Sequence, residues 1–389
     1  SMKFVVYREG FLSMKKLISI VFGTRPELIK LAPVILLAQQ DARFNVEVIF
    51  TGQHDELVRD AIEFFNIKID QRLKMMNAGQ SLNQLLIQGL GQLENIFTDG
   101  QQRDAIIIQG DTTTVLAAGL VAFSMKIPVA HVEAGLRSFD LDHPFPEEGN
   151  RQLVSRITRW HFAPTAQSRQ NLLEEHIADD AITVTGNTVV DAVYLGRELI
   201  QQQATQHNYL QQHGLVFPAN LRVVLITAHR RENFGEGIQN ICNAVEHLAH
   251  KYPDVHFVWP VHLNPAVHDV VHAQFADHAQ VHLMKPLDYP SLLAVIDRAE
   301  FILTDSGGLQ EESPSFHKPV LILRDTTERP EVVQVGAGIL VGTDQAKIIA
   351  ESEKLLSDQA HYAAMANVEN PFGDGQASQR ILDVIAQSS

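Results

Sequence analysis

The segment LISIVFGTRPELIK, residues 17–30, begins as an apolar strand, turns at Gly23 and continues into a helix that starts near Pro26. Proline suits the first turn of a helix, because its missing N–H would be unpaired there in any case. The same order of apolar run, turn and amphipathic segment recurs along the chain. Short buried strands that alternate with helices predict a parallel sheet with helices on both faces, so the expected fold class is α/β.

Two sets of apolar runs are candidate strands. The first set covers 17–22, 46–50, 105–108, 129–132 and 182–185, and the second covers 223–227, 256–259, 301–304, 320–323 and 338–341. A polar stretch at 201–220 separates the sets, and candidate helices lie at 26–39, 115–124, 237–250 and 346–356. This division predicts two doubly wound, Rossmann-like domains that face a cleft, with a hinge between Gly186 and Asn220. Ligands of such sheets bind at the carboxyl ends of the strands.

Composition excludes several classes of protein. The chain has 389 residues and a formal net charge of −15, which disfavours general binding to nucleic acid or to anionic membranes. Its one cysteine, Cys242, excludes an internal disulfide and a Cys-clustered metal site. The Met14–Phe22 segment imitates a signal peptide, but its apolar part is short and a GTRP turn follows, which predicts a first buried strand. Neither a GxGxxG nor a GxxxxGK[ST] motif is present, which disfavours a dinucleotide enzyme and a P-loop NTPase.

Two motifs of the first half place charged residues at strand ends. Arg25 and Lys30 flank a turn and the start of a helix, which is favourable for an anion but is also compatible with two solvated surface cations. Asp111 follows the strand at 105–108 and precedes a helix. Asp111 is a candidate catalytic group, but spacing alone favours the interpretation that it caps that helix.

A third motif supplies more carboxylates. Glu133 follows the strand at 129–132, and a loop stiffened by Pro144 and Pro146 presents Glu147 and Glu148. Neighbouring carboxylates raise one another's pKa, as a general acid/base pair requires. The alternative is that these are unrelated surface acids, since Asp and Glu total 46.

The second half contributes candidates for anion binding. His229 lies beside two arginines after the first strand of this half, and Ser306, Gly307 and Gly308 form a turn into a helix that carries Glu312. Glycines allow a phosphate to approach the backbone, and Glu312 could accept ribose hydroxyls. Arg329 follows the next strand. The competing interpretation is a plain tight turn with a bystander histidine.

One pair of histidines imitates a metal site. His268 and His272 have i, i+4 spacing, but the glutamate of the HExxH zinc motif is missing. We therefore predict no metal site and no cofactor.

Taken together, these motifs resemble one family, the bacterial non-hydrolysing UDP-N-acetylglucosamine 2-epimerases. The resemblance extends from about Lys16 to about Ile385 and rests on the segments FGTRPE, GDTTT, HVEAGLR, FPEEGNR, AHRREN, PVHLNP, TDSGGLQEE and RDTTERPE. It implies a glycosyltransferase-B type fold and a homodimer. The expected division is an N-terminal extension or expression remnant at 1–13, an N-terminal domain at 14–186, a UDP-binding C-terminal domain at 187–372, and a helix at 373–389 that returns to the N-terminal domain.

The resemblance also implies a reaction. A base removes the C2 proton of the sugar while UDP leaves C1, and UDP then adds again to 2-acetamidoglucal with protonation from the opposite face. This chemistry needs carboxylates near C2 and cations around the diphosphate. The implied catalytic residues are Asp111, Glu133, Glu147 and His229, without a choice of which carboxylate serves which face.

The remaining implied residues bind nucleotide. Those for UDP are Arg25, Lys30, Asp111, Glu133, His229, Leu287, Leu292, Ser306, Gly307, Gly308, Glu312 and Arg329. Those resembling an allosteric site for a second UDP-N-acetylglucosamine are Gln53, His54, Gln80, Arg231 and His262.

The product UDP-N-acetylmannosamine implies a cytoplasmic enzyme that feeds surface polysaccharide synthesis. Three alternatives stay open: a hydrolysing epimerase that releases N-acetylmannosamine, a glycosyltransferase of the same fold, and a non-catalytic nucleotide-sugar sensor.

Overall fold

The computed structural model describes residues 15–52, 55–77, 79–204 and 208–388, and for 55–57 only the backbone. Two parallel β-sheets, each covered by helices, make up this part of the chain. The prediction of two doubly wound α/β units is thereby confirmed. None of the helices in the described ranges combines the length and apolar character needed to span a bilayer.

The first sheet has seven strands in the order β3-β2-β1-β4-β5-β6-β7. Its strands are β1 (Lys16–Phe22), β2 (Phe44–Phe50), β3 (Gln71–Arg72), β4 (Ala105–Gln109), β5 (Val129–Val132), β6 (Trp160–Ala163) and β7 (Ile182–Val184). Its helices are α1 (Arg25–Gln40), α2 (Asp55–Phe64), α3 (Leu82–Phe97), α4 (Thr113–Ser124), α5 (Glu147–Ile157) and α6 (Ala166–Glu174), with a 3-10 turn at Asp179–Ala181.

The second sheet has six strands in the order β10-β9-β8-β11-β12-β13. They are β8 (Arg222–Thr227), β9 (Val255–Pro260), β10 (Val281–Met284), β11 (Phe301–Thr304), β12 (Val320–Ile322) and β13 (Gly338–Leu340). The helices are α8 (Glu236–Lys251), α9 (Pro265–Phe275), α10 (Tyr289–Arg298), α11 (Gly307–Glu312), α12 (Pro330–Gln334), α13 (Gln345–Ser357) and α14 (Gln359–Ala366), with 3-10 turns at Gln211–His213, Arg231–Asn233 and Ser313–Phe316.

Two further helices, α7 (Thr188–Gln203) and α15 (Ala377–Gln387), join the halves. Both pack against α1, and α7 also contacts α10 and α11 of the second half. The chain crosses between the sheets twice at one point, where the Asn187 N–H donates to the Phe372 carbonyl oxygen at 2.6 Å. A Cβ on Gly186 would lie 3.2 Å from the Cα of Gly373, so the two crossings touch backbone to backbone.

Burial explains which segments became strands. The central strands of both sheets are nearly or completely buried, with β4 and β5 buried at every position, as expected for sheets covered on both faces. Three strands escaped prediction. The exposed β3 has only two residues, whereas β6 and β10 are four-residue strands that each contain a histidine in place of an apolar residue. The predicted helices at 26–39, 115–124, 237–250 and 346–356 correspond to α1, α4, α8 and α13.

Candidate functional site

The site residues predicted from the sequence cluster where strands of both sheets end. In the first sheet these strands are β1, β4 and β5, and in the second they are β8, β11 and β12. The strands are hydrogen-bonded neighbours, so their carboxyl ends lie side by side. The two edges face each other across a cleft. We call residues 23–30, 110–113, 133–135 and 147–151 the N-terminal wall, and residues 229–233, 287–292, 305–312 and 324–329 the C-terminal wall.

The start of α1 is fixed by its own capping residues and reaches the opposite wall. Thr24 is the N-cap, and it forms a capping box with Glu27. The guanidinium of Arg25 donates to the carbonyl oxygen of Leu287 at 3.3 Å. A predicted UDP ligand of the N-terminal wall therefore contacts the C-terminal wall directly.

Glu27 connects α1 to the next strand end. Its buried carboxylate accepts the N–H groups of Gly23 and Thr24, at 2.6 and 2.9 Å, and the hydroxyl of Thr112. Burial, opposed by these hydrogen bonds, raises the pKa of Glu27 to about 7, and the nearby Asp111 adds to the rise.

Asp111 belongs to a charge pair rather than to a helix cap. Its Oδ2 accepts from Nε of Arg151 at 2.9 Å and lies 2.7 Å from Nη2 of the same residue. Asn150 donates to the Asp111 carbonyl oxygen at 2.8 Å. The N-cap of α4 is Thr112, so the alternative interpretation of Asp111 as the cap was wrong. Both side chains that hold Asp111 come from α5.

The residue before Asp111 is fixed by a buried histidine. Nε2 of His131 lies 2.7 Å from the carbonyl oxygen of Gly110, whose φ of 85° is left-handed. Burial lowers the pKa of His131 to about 4, so the ring is neutral at pH 7 and its Nε2–H is the donor. His131 thereby fixes the turn that presents Asp111.

Glu133 occupies a strained backbone position directly after β5. Its φ is 66°, in the left-handed region that non-glycine residues rarely adopt outside functional or tightly constrained sites. Its Oε2 accepts from Lys30 and, at 2.8 Å, from Nδ2 of Asn187. Its side chain is 8% exposed. The strained turn thus brings a nearly buried carboxylate to the lysine of α1.

Glu147 and Glu148 have different environments although they are adjacent. Glu148 is buried and accepts the N–H groups of Ser138 and Phe139, at 3.0 and 3.2 Å, and the side chain of Gln152 at 2.9 Å. Burial alone would raise the pKa of Glu148, but these hydrogen bonds and Arg151 bring it below its ordinary value. Glu147, half-buried at the first position of α5, lines a cavity of about 450 Å³ together with Asp111. Glu148 therefore shapes the loop, and Glu147 faces the cavity that it shares with Asp111.

Four charges of alternating sign cross the cleft. Lys30 pairs with Glu133 on its own wall and lies 3.5 Å from Oε2 of Glu311 on the other wall, while Oε1 of Glu311 accepts from Nε of Arg329 at 2.7 Å. Burial lowers the pKa of Lys30, but the two carboxylates raise it more, so the lysine is held charged. Burial likewise tends to lower the pKa of Arg329, but the carboxylates of Glu311 and Glu133 raise it more. Two predicted UDP ligands from different walls therefore share one carboxylate.

His229 contacts a buried aspartate of the neighbouring strand. Its Nδ1 lies 3.0 Å from Oδ1 of Asp305, although the pair does not have full hydrogen-bond geometry. The imidazole of His229 also lies along the ring of His262, with centroids 5.9 Å apart and an interplanar angle of 24°. The side chain of His229 is 41% exposed toward the cleft.

The glycine turn after β11 lies against Arg329. A Cβ on Gly307 would lie 3.2 Å from Cζ of Arg329, so glycine allows the guanidinium to lie on this turn. Ser306 is the N-cap of the short α11, and no described side chain caps its first N–H groups. A Cβ on Gly308 would lie 3.8 Å from Oγ of Ser306, which is an ordinary contact distance. This turn is the one that sequence reasoning assigned to a phosphate.

Glu312 is a buried carboxyl at the end of α11. Desolvation, together with the neighbouring charge of Glu311, raises its pKa to about 7, and Lys30 and Arg25 oppose the rise. Tyr289, also buried, packs its ring against Phe65 at a centroid distance of 5.8 Å.

The two leucines assigned to the uracil wall lie close to this region. Leu287 is buried and offers its carbonyl oxygen to Arg25, and Leu292 of α10 is partly buried against the core. Neither presents an aromatic ring for a base.

The residues assigned to an allosteric site are divided. Gln80 lines the same cavity as Asp111 and Glu147, and its buried Nε2 has no hydrogen-bond partner among the described residues. His262 stacks on His229, and Arg231 is an exposed residue of the C-terminal wall. Gln53 and His54 lie outside the described residues.

Four partner residues escaped sequence reasoning, namely Arg151, Asn187, Asp305 and Glu311. Arg151, Asp305 and Glu311 belong to motifs quoted from the sequence, and Asn187 begins a helix that was not predicted. The role of each depends on a contact with a different segment. Only Asp305 had a signal, since it follows a strand directly, as Glu133 does.

The pair His268 and His272 stacks with centroids 3.9 Å apart on α9, and its partners are Asp269 and the His268 carbonyl oxygen. Within the described ranges, no three His, Cys, Asp or Glu side chains are placed to hold a metal ion.

Chemically, the cleft brings three carboxylates of one wall opposite cations, an imidazole and a glycine turn of the other wall. Carboxylates can move protons at a carbon atom. The opposite wall can stabilise a departing anion. Proton removal and anion departure are therefore possible at one bound molecule.

Comparison with known proteins agrees with this geometry. The family model for UDP-N-acetylglucosamine 2-epimerase matches residues 37–386. A protein of that name from Neisseria meningitidis is 45% identical over 368 residues, which cover 95% of this chain and 98% of the relative. Another from Salmonella typhimurium is 44% identical, with 94% and 97% covered.

Solved structures give the same result. The UDP-GlcNAc 2-epimerase of Neisseria meningitidis bound to UDP-GlcNAc has a TM-score of 0.87 at 44% identity, covering 96% of this chain and all of the other. The Methanocaldococcus jannaschii enzyme in complex with UDP-GlcNAc and UDP has a TM-score of 0.78 at 33% identity, with 96% and 100% covered. The expected glycosyltransferase-B type fold is confirmed.

Proposed function

The chain belongs to the UDP-N-acetylglucosamine 2-epimerase family, and we propose that it interconverts UDP-N-acetylglucosamine and UDP-N-acetylmannosamine without releasing free sugar. One observation carries this proposal. The carboxylates of Asp111, Glu133 and Glu147 lie on one wall of a cleft, and Lys30 links that wall to the cationic pocket of the other wall.

The proposed route is anti-elimination. A carboxylate of the N-terminal wall takes the C2 proton, the C1–O bond breaks, and UDP leaves with the bonding electrons. UDP then adds again to 2-acetamidoglucal while a proton enters C2 from the opposite face. The C2 hydrogen has no adjacent carbonyl to acidify it, so departure of a stabilised anion must assist its removal.

The proposed roles follow the two walls. Asp111, Glu133 and Glu147 form the acid/base set, and His229 assists the departing diphosphate. The other ligands for UDP are Arg25, Lys30, Leu287, Leu292, Ser306, Gly307, Gly308, Glu312 and Arg329. The buried position of Arg329 on the glycine turn supports its assignment to phosphate.

A second UDP-N-acetylglucosamine is proposed as an activator beside the first. Gln80 and His262, which each adjoin a catalytic residue, would contact it with Arg231, Gln53 and His54. The test is the initial rate of the reverse reaction with and without added UDP-N-acetylglucosamine. Activation supports this regulatory site, and strictly hyperbolic kinetics without activation argue against it.

We also propose a homodimer that acts in the cytoplasm and supplies surface polysaccharide synthesis. The neighbouring helices α3, α4 and α5 expose Ile87, Phe123 and Leu153, each more than half accessible, and this exposed apolar character supports an interface on these helices. Leu153→Glu should lower the mass measured by sedimentation to that of one chain. Val216→Glu, at an exposed apolar residue of a different segment, is the matched control.

The reaction itself is tested by proton NMR with UDP-N-acetylglucosamine in heavy water. Appearance of UDP-N-acetylmannosamine with deuterium at C2 of both sugars is expected. Free N-acetylmannosamine with UDP would identify a hydrolysing enzyme instead, and binding of UDP without any turnover would identify a sensor.

A further inference from the structure

We propose that Asp305 is a positioning residue for His229, holding the imidazole with its Nδ1 hydrogen toward the aspartate and its Nε2 toward the leaving diphosphate. This inference rests on the proposed function, because it gives His229 its orientation for that reaction.

The geometry around Asp305 supports this role. Its carboxylate is completely buried at the carboxyl end of β11, and Oδ2 accepts three N–H donors of the loop that follows β8. These are the backbone N–H groups of His229 and Arg230, both at 2.8 Å, and Nδ2 of Asn233 at 3.0 Å. Oδ2 therefore fixes the loop, while Oδ1 remains for the imidazole.

The contact between Oδ1 and the ring determines which nitrogen carries the hydrogen. Nδ1 of His229 lies 3.0 Å from Oδ1, which has no hydrogen-bonding partner at full alignment among the described residues. An ionised carboxylate only accepts hydrogen bonds, so it favours the hydrogen on Nδ1. Catalytic hydrogen bonds are often poorly aligned without substrate and become shorter and straighter when it binds.

Charge at Asp305 is maintained by its surroundings. Burial tends to raise the pKa of Asp305, but the His229 side chain and the two backbone N–H groups outweigh burial and bring the pKa below its ordinary value. Among the described residues, Arg230 of the same loop pairs with Glu328, and His262 after β9 stacks on the ring. A guanidinium only donates hydrogen bonds, and Nδ1 of His262 already accepts the Asn264 N–H, so neither replaces Oδ1 as the partner of Nδ1.

This arrangement leaves Nε2 at the exposed side of the ring. In the elimination, the C2 proton passes to a carboxylate of the N-terminal wall and the C1–O electrons pass to UDP. In the imidazolium form of His229 both ring nitrogens carry hydrogen, so its Nε2–H would donate to the diphosphate oxygen that gains charge. The carboxylate of Asp305 would then hold the Nδ1–H and stabilise the positive ring. The aspartate itself does not touch the substrate.

The first experiment reads the tautomer directly and needs no substrate. Two-bond ¹H–¹⁵N spectra of the imidazoles, recorded across a pH titration, report which nitrogen of each neutral ring carries hydrogen. His229→Gln identifies the signal among the 18 histidines. We expect the neutral His229 ring to carry its hydrogen on Nδ1, and a ring protonated on Nε2 would overturn the proposal.

The second experiment is a double-mutant cycle on turnover. Asp305→Asn should lower kcat by about 10- to 100-fold and change KM by less than about threefold, because it disturbs a partner of a catalytic group. In the His229→Gln background, the same substitution should change kcat by less than about twofold. An equal loss in both backgrounds would show a purely structural role and overturn the proposal.

A matched control separates orientation from general destabilisation. Asp191 is also buried and accepts two backbone N–H groups, those of Ala377 and Ser378, far along the chain from His229. Asp191→Asn should therefore act additively with His229→Gln. If Asp305→Asn does not fold, the cycle is repeated with Asp305→Glu. In either case, the tautomer of His229 in the wild-type protein decides whether the proposal stands. Absence of epimerisation by the wild type would refute the proposed function, and the tautomer would still test the contact.

Discussion

The two walls of the cleft are built on opposite principles. On the N-terminal wall, carboxylates are the groups proposed to react, and cations hold them: Arg151 holds Asp111 and Lys30 holds Glu133. On the C-terminal wall, the cation Arg329 and the imidazole of His229 are proposed to bind the anion, and the buried carboxylates of Glu311 and Asp305 hold them. On each wall, a residue of opposite charge thus holds each group that is proposed to react or to bind the anion. One wall then serves proton transfer and the other serves the diphosphate.

Removing the charge of Asp111 should impair the acid/base set of the N-terminal wall without affecting the C-terminal wall. We expect Asp111→Asn to lower turnover by about 10³-fold or more, since general acid/base catalysis supplies about 10²–10⁴-fold, while the Kd for UDP changes by less than about threefold. Turnover is measured by NMR and UDP binding by calorimetry. Asp104→Asn makes the same change at the other end of β4, where the carboxylate accepts the Leu17 N–H, and should retain turnover. Retained turnover in Asp111→Asn would remove Asp111 from the acid/base set.

Lys30 is the charge that joins the walls. Lys30→Met leaves Glu133 and Glu311 nearly buried without it, and breaking such a pair costs about 3–5 kcal/mol of unfolding free energy. Urea denaturation measures this loss. The control Lys251→Met removes an exposed pair with Glu353 and should leave the free energy of unfolding nearly unchanged, because water screens such a pair. Equal losses in the two variants would mean that the Lys30 network stabilises the fold no more than an exposed ion pair does.

The C-terminal wall should show its own pH dependence through Glu312. The folded carboxyl keeps its proton up to about pH 7, whereas the unfolded one loses it near 4.5. The folded state therefore binds more protons between these values, and stability falls as pH rises through them, by up to about 3 kcal/mol from this residue. Glu312→Gln should flatten the dependence between pH 5 and about 7.5, leaving a similar contribution from Glu27.

Asp374 is the control for this measurement. Its salt bridge to Arg380 lowers its pKa to about 2, so its contribution is lost only as pH falls through the acidic range. Asp374→Asn should leave the slope between pH 5 and 7.5 unchanged. If Glu312→Gln also left this slope unchanged, the raised pKa of Glu312 would be contradicted.

The smallest expected effect concerns the hydrogen bond that joins the start of α4 to α1 in the N-terminal wall. Thr112 caps α4 and also donates to Glu27, so Thr112→Val loses a cap and a hydrogen bond to a buried carboxyl. Loss of a cap alone costs about 1 kcal/mol. Thr165→Val removes the N-cap of α6 and a contact with the Ser168 hydroxyl but no bond to a carboxyl, so the difference in unfolding free energy between the two variants measures the link to Glu27. A difference of zero would show that the link adds no stability.

Position along the chain was the part of this site that could be predicted. Glu133 follows a strand directly, Asp111 and Ser306 follow one after a single intervening residue, and parallel sheets collect their strand ends at one edge. The alternation of apolar runs and helices sufficed for that step. It did not suffice for β6 and β10, although the equally short β5, which also contains a histidine, was predicted.

The contacts that these side chains make with other segments could not be predicted from the sequence. Whether Asp111 caps a helix or faces Arg151 depends on how α5 packs beside α4, which no local pattern contains. Glu147 and Glu148 are the same residue type at consecutive positions, and only the fold decides that one meets backbone N–H groups and the other the cavity. Asp305 contacts His229 and Glu311 contacts Arg329. Each partner lies in a different segment of the chain, so no local pattern shows the pair.

The packing of α15 against α1 has a consequence for synthesis on the ribosome. Ile381, Leu382 and Ile385 are buried in the same core as Leu28 and Ile35 of α1, although most of the chain lies between the two helices. The apolar face of α1 therefore emerges early and stays without its final cover until the second sheet has been translated. The N-terminal unit can complete its folding only after the other unit has been made, and the growing polypeptide has to be protected from association during that interval.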